Sequence, residues 1–288
     1  MKVSVIIPAH NAGSWVEKAV SSAFKQTRPP DEVIVSSDGS TDDTVALAVS
    51  AGARVLDLPK GNANVARNAG VGASSGELLF FLDADDWFEP DKIERHLETH
   101  SQGLWSFVID PATMVDEDGQ RGRLAGPALD APLAYSSFTR RRFWYGGSTF
   151  SVQRSRLDAI GGWREELRSQ QDIDVWLRLA HRHGPAYVLG TSHTWYRQTA
   201  GSTSRSPKLV MTNLDVLTRG LPFLTFSQKR TLRSHVIFTA ADNLPLREAL
   251  PLLASVGDRV YDPRFLKAIA RSLANRRLPA ENSLSVQS

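Results

Sequence analysis

The chain has 288 residues, 41% hydrophobic and 23% charged, with a formal net charge of only +3, which describes a soluble globular protein with a core of good size. It has no cysteine, which excludes disulfides, thiolate metal sites and a cysteine nucleophile. No apolar stretch approaches the roughly 20 residues needed to span a bilayer. Nor does a signal-like leader precede the first strand, so the expectation is a cytoplasmic protein, at most peripheral at the inner face of a membrane.

The first hundred residues alternate apolar runs with helical patterns. Val3–Ile7 reads as a buried strand ended by Pro8, and residues 13–27 carry Trp15, Val16, Ala19, Val20, Ala23 and Phe24 on one helical face. Glu32–Ser36 is a second strand, and Ser40-Thr41-Asp42-Asp43 a helix start with Ser40 as cap. Arg54–Leu58 follows as a strand, Asn64–Ala73 as a helix and Glu77–Leu82 as a fourth strand. That order predicts a mostly parallel sheet with helices on both faces.

Pro90 then opens a helix to about His100, and Leu104–Ile109 and Thr113–Val115 read as strands. Residues 119–135 are rich in Gly, Pro and Ala and read as a loop. Thr149–Val152 is a short strand, Arg154–Ile160 a short helix, and 170–183 a helix with Ile173, Trp176, Leu177 and Ala180 in one stripe and Ser169 as its cap. Beyond about residue 205 the chain is helical in character, broken by prolines at 222, 245, 251 and 263.

Chemistry concentrates at the strand exits. Asp83, Asp85 and Asp86 crowd the end of the fourth strand, where three acids repel one another unless a cation sits between them. Open α/β sheets bind ligands at the carboxyl ends of their strands. Strand one exits through Pro8-Ala9-His10-Asn11 and strand two through Asp38-Gly39-Ser40, while Arg67 faces them from its helix. Each feature has a plainer reading: Asp38-Gly39 as a turn, Arg67 as a surface arginine, and Asp172 as an acid favoured by its place in the first turn of a helix.

Five segments in order resemble the family 2 inverting glycosyltransferases, with the Rossmann-like glycosyltransferase A-type fold. They are Val3–Pro8, Asp38–Asp42, Ala66–Gly70, Phe81–Asp86 and Gln171–Ala180. The resemblance covers about residues 1–205, divided into a nucleotide-binding half (1–100) and an acceptor-binding half (101–205), with 206–288 a helical extension. It implies that Asp38 contacts the nucleotide base, that Arg67 helps hold the nucleotide, and that Pro8, His10, Asn11 and Asp83 belong to the same donor site. Asp85, with Asp86, would carry Mn²⁺ or Mg²⁺ bridging the diphosphate. Asp172 would be the general base that takes the acceptor hydroxyl's proton in a single inverting displacement. Gly147, in the small-residue segment Gly146-Gly147-Ser148, and Arg197 fall on the acceptor side, while Trp163 and Trp176 read as core residues, one of them a candidate for the border of the acceptor pocket. Arg197 lies in a segment that follows the family's last strand, ahead of Gly201, Ser202 and Ser204.

Two departures stand out. Ser37 precedes Asp38 where the family often has a second acid, and Gln171 stands before Asp172 where it usually has glutamate. The Gln-x-x-Arg-Trp motif of processive synthases is absent, so transfer of single sugars is expected. The donor would be a UDP-sugar ahead of a GDP- or dTDP-sugar, the acceptor a sugar or glycoconjugate, and nucleic acid is not expected as a partner. Residues 206–288 are candidates to cover the acceptor, pair protomers as a homodimer or touch a membrane. Arg140-Arg141-Arg142 with Phe143, Trp144 and Tyr145 reads either as a solvated loop or as a grip for phosphate or anionic lipid. Two alternatives stay open: a nucleotidyltransferase, which would release pyrophosphate, and a nucleotide-sugar binder without catalysis.

Overall fold

The computed structural model describes residues 1–116, 120–140, 146–198, 213–214 and 216–241. In chain order the first half forms β1 (Val3–Ala9), α1 (Val16–Phe24), β2 (Glu32–Asp38), α2 (Thr44–Ser50), β3 (Arg54–Leu58), α3 (Ala63–Ala73), β4 (Leu78–Phe81), β5 (Trp87–Phe88) and α4 (Lys92–Gln102). There follow β6 (Val108–Ile109), β7 (Ala112–Val115), β8 (Arg121–Ala125), β9 (Ala131–Leu133), α5 (Tyr135–Arg140), a 3-10 turn at Gly147–Thr149, β10 (Phe150–Gln153), α6 (Arg154–Ala159), α7 (Gln171–His183), β11 (Ala186–Val188), β12 (Thr194–Arg197) and α8 (Phe226–Ala241).

Period-two burial sorts the first sheet into two faces. Val3, Val5 and Ile7 share a core with Val16, Ala19, Val20 and Ala23 of α1 and with Ala48 of α2. On the opposite face α3 lies close against the strands. A Cβ at Gly70 would come within 2.5 Å of Ile6 and 2.9 Å of the Ser36 hydroxyl, so only glycine permits that approach. The sheet has the order β3-β2-β1-β4-β10-β6-β11-β9, parallel through β4 and mixed beyond it. A second sheet, β5-β12-β7-β8, stands beside it. The mostly parallel α/β architecture is the expected one. The chain forms two compact units, Met1–Ala200 and Gly201–Ser288; in the second, α8 carries buried Leu232, Val236 and Ile237.

Several expectations are corrected. The segment read as a loop over 119–135 contains β8 and β9, paired antiparallel with β7 and β11. Their composition hides them because the ladder partner, more than intrinsic propensity, makes them strands. The strand expected from Leu104 shortens to Val108–Ile109, and Leu104 is 84% exposed. Trp195-Tyr196-Arg197 is itself a strand, β12. Neither expected cap is used: Ser40 instead accepts from the Asn11 amide, and α2 begins behind Asp43. Ser169 is buried with no hydrogen-bond partner among the described residues, and α7 starts after Gln170. The basic-aromatic run at 141–145, the segment 201–204 and the tail beyond 241 lie outside the described residues.

Beneath the junction of the two sheets lies a buried ion pair. Lys92 and Asp110 are both wholly inaccessible and in direct contact. Asp110 also accepts from His193 N (2.8 Å), Thr194 Oγ1 (2.8 Å) and the His96 ring (3.2 Å). Ser151 continues the chain of contacts between the His96 and His100 rings. Burial holds His96 down at about 4 and His100 at about 3, so both are neutral in the fold. Because the partners of Asp110 come from α4 and β12, the pair locks these elements together. Removing one charge leaves the other buried without compensation, so Asp110→Asn is expected to cost about 3–5 kcal/mol in urea unfolding; a loss under about 1 kcal/mol would mean that Lys92 reaches water.

Candidate active site

The register of the sheet decides where the site falls. Parallel pairing aligns Ala9 with Ser37, and Leu82 N donates to Ile6 O, so β1, β2 and β4 exit along one edge. β10 runs antiparallel to β4, with Val152 opposite Leu79. The chain entering β10 therefore arrives where β4 leaves, and lays Gly147–Thr149 against the acidic turn.

Ser148 makes that contact specific. Its hydroxyl accepts from Asp83 N (2.9 Å) and donates to Asp86 Oδ2 (2.5 Å). The other Asp86 oxygen accepts from Arg197 N (2.9 Å), and Asp86 is 1% exposed. Asp86, expected beside Asp85 on a metal, is thus turned inward as a pin joining the turn, the approach to β10 and β12. Arg197 is stitched in the same way. Its side chain donates to Asp85 O and Asp116 O and lies 4.0 Å from the Trp15 ring centroid. That makes it a brace behind the turn, correcting the acceptor-side expectation.

Arg67 occupies the centre. It is 3% exposed. Nη2 donates to Asp83 Oδ1 (2.6 Å), while Nη1 donates to Asn64 Oδ1 and Gln171 Oε1, both at 3.0 Å. Around it, a Cβ built on Gly147 would lie 3.2 Å from Asp172 Oδ1, 3.4 Å from Arg67 Nη2 and 3.6 Å from Asp83 Oδ2. The expected residues Arg67, Asp83, Gly147 and Asp172 therefore meet at one point. Asp172 arrives there because α3 clips the approach to α7. Asn62, Asn64 and Asn68 donate to the carbonyls of Glu165, Arg164 and Trp163 at 2.8–2.9 Å. Buried Asp174, paired with the partly exposed Arg164 and Arg178, then secures the helix itself.

The remaining expected residues lie apart from that point. Asp38 Oδ1 accepts from Gly61 N at 2.5 Å, tying β2 to the loop before α3. Pro8 is buried in β1, exposed His10 contacts Lys60 Nζ at 3.1 Å, and Asn11 accepts from Thr41 N at 2.9 Å. Trp163 and Trp176 are 2% and 3% exposed, packed on Phe150 with Phe81 and Phe107. Both sit in the core, and Trp163 lies under the Arg67 guanidinium at 4.7 Å.

Sequence reasoning missed Gln171 as a contact and Tyr196, and took Ser148 only as part of a small-residue segment on the acceptor side. Burial, and then the charges of Asp86, Asp83, Asp85 and Asp172, push the Tyr196 phenol well above its ordinary range and keep it protonated. Only the tertiary fold brings Tyr196 beside those acids, so no local signal marks this tyrosine.

A divalent cation fits the chemistry of this corner. Burial and then the Asp83 charge push Asp85 up to about 6. Among the described residues no three His, Cys, Asp or Glu side chains are placed to hold an ion unaided.

Residues 4–161, more than half of the chain, match the family described as Glycosyl transferase family 2. This protein belongs to that family. Over 210 residues it is 29% identical to the putative teichuronic acid biosynthesis glycosyltransferase TuaG of Bacillus subtilis, covering 70% of this chain and 81% of that one. It is 28% identical over 186 residues to an uncharacterized glycosyltransferase of Rickettsia felis, spanning 62% of this chain but only 31% of the relative. With the chondroitin synthase of Pasteurella multocida it shares 36% identity over 185 residues, 62% of this chain and 19% of that one. Among solved structures, S. aureus TarS 1–349 in complex with UDP has a TM-score of 0.60 at 17% identity, covering 96% of this chain and 89% of that one. That likeness shows the fold. With the family it defines the protein as a glycosyltransferase enzyme.

The histidines and the acidic turn oppose each other as pH falls. Below about 6.5 the unfolded chain takes up protons that neutral His96 and His100 refuse, which lowers stability toward pH 4. Asp85 does the reverse, since between its unfolded value of 3.8 and about 6 the folded chain binds its proton more tightly. In Asp85→Asn that offset is gone. Melting temperature between pH 6.5 and 4, measured in chelator, is expected to fall more steeply than in the wild type; a parallel profile would refute the opposition.

Proposed function

We propose that this enzyme moves a single sugar from a nucleoside-diphosphate sugar, a UDP-sugar first among the candidates, to an acceptor hydroxyl with inversion at the anomeric carbon. The observation that carries this reading is the convergence of Arg67, Asp83 and Asp172 on Gly147, which sets a nucleotide-side cation and acid opposite a carboxylate on another helix. The names of TarS in complex with UDP and with UDP-GlcNAc, and of TuaG, support a nucleotide-sugar donor and a place in polysaccharide synthesis. The catalytic unit is assigned to residues 1–205.

In this reading Arg67 and Asp38 hold the nucleotide, and Asp85 and Asp83 face its diphosphate. Mn²⁺ or Mg²⁺ at Asp85 supplies Lewis-acid stabilisation of the departing diphosphate. Asp86 keeps the turn in place and is withdrawn from the ligand set. Asp172, in the first turn of α7, is favoured as an anion by the helix dipole. It takes the proton from the acceptor hydroxyl as that oxygen attacks, while the sugar–phosphate bond breaks on the opposite face. Displacement in one step needs no enzyme nucleophile. Gly147, lacking a Cβ, lets Asp172, Arg67 and Asp83 approach one another closely.

Thermal shifts with UDP, GDP and dTDP, each with and without Mn²⁺, test the donor. A saturating nucleotide is expected to raise the melting temperature by roughly 5 °C or more, in a metal-dependent way that Asp85→Asn abolishes. Asp172→Asn should keep the shift and lose about 10²–10⁴-fold in turnover. Normal turnover by that variant would sink the base assignment, and release of pyrophosphate would point to nucleotidyl transfer.

A further inference from the structure

We infer that Gln171 is a positioning residue for the catalytic step, clamping the first turn of α7 to Arg67 so that Asp172 stays aligned with the donor site. The inference rests on the reading of Asp172 as the base. Three observations carry it. First, α7 has no side-chain cap at its start, and the residue before it, Gln170, sits at φ +58°, a region disfavoured for any residue with a Cβ. The entry to the helix is therefore not fixed in the ordinary way. Second, Gln171 bonds in two directions, accepting from Arg67 Nη1 at 3.0 Å through Oε1 and donating to Leu167 O at 3.2 Å through Nε2. Third, the same Arg67 guanidinium holds Asp83 Oδ1 at 2.6 Å. One planar cation thus touches the acidic turn on one edge and the neighbour of Asp172 on the other.

The amide, specifically, suits this place. Glutamate could accept from Arg67, but it could not donate to Leu167 O, which would keep only a long 3.5 Å contact from Asn64. A carboxylate there would also compete with Asp83 for Arg67 and set a second negative charge beside Asp172. Gln171 therefore fixes the helix without drawing Arg67's charge away from the donor side.

The test uses whichever of UDP-glucose, UDP-galactose and UDP-N-acetylglucosamine the wild-type enzyme hydrolyses fastest, with water as the group that Asp172 deprotonates. Gln171→Met keeps the side chain's length and removes both hydrogen bonds. It is expected to lower kcat about ten- to a hundredfold, the effect of misplacing a reacting group, with donor KM and the UDP–Mn²⁺ thermal shift unchanged. Gln171→Glu restores the Arg67 contact without the Leu167 bond and should recover part of that kcat, with the acidic limb of the pH profile moved to higher pH. A second measurement needs no turnover: hydrogen exchange of the amides at 171–175 should quicken in Gln171→Met and slow again in Gln171→Glu. Wild-type kcat and exchange in Gln171→Met would overturn the inference. So would loss of the UDP shift in step with kcat, which would make Gln171 a donor-binding residue. A fully active Asp172→Asn beside a slowed Gln171→Met would fail the base assignment and leave the clamp standing.

Discussion

The site depends on a carboxylate that is out of reach of any substrate. Asp86 is buried and shares its two oxygens between the Ser148 hydroxyl and the Arg197 amide. These three groups come from β4's exit, the approach to β10 and the end of β12, so one side chain ties both sheets to the turn that presents Asp83 and Asp85. Burial and the neighbouring Asp85 and Asp83 charges raise its proton affinity well above that of an ordinary carboxyl. A buried polar group of this kind is costly unless its partners are in place. The turn therefore has one geometry in which its hydrogen bonds are met, and the open acids of the site inherit their position from it.

A second buried anion supports the same region from below. Asp110 gathers Lys92, Thr194, His96 and the His193 amide, and β12 begins within that network and ends on Asp86. The two centres are thus joined by one short strand. Aromatic contacts close the outer side, where Trp87 and Trp195 stack at 5.6 Å and Lys18 lies 3.1 Å from the Trp87 ring centroid.

Much of this was legible in the sequence, and the reason is local. β1, β2, β3, β4 and α3 declare themselves through apolar runs and helical spacing, and the acids at the strand ends follow from the parallel order. Arg67 and Asp172 could be named from their motifs. What could not be read depends on pairing between distant segments. β8 and β9 lack a pattern of their own and exist because β7 and β11 complete their ladders. Trp163 and Trp176 carry no mark to distinguish a ligand-facing indole from a core one, and packing put both inside. Ser148 and Tyr196 matter only because β10 and β12 return to the edge where β4 ends. The neutral Gln171, a departure when seen in sequence, makes sense once Leu167's carbonyl is seen beside it.

The way α3 grips the chain ahead of α7 has a consequence for variation. Asn62, Asn64 and Asn68 engage Glu165 O, Arg164 O, and both Trp163 N and O, which are main-chain atoms that every sequence supplies. At these three asparagines α3 therefore holds the path of the chain ahead of α7 through its backbone, beside the side-chain contacts that Arg67 makes to Trp163 and Gln171. These particular bonds need only the backbone course of 163–165, so a grafted segment that keeps that course keeps the grip.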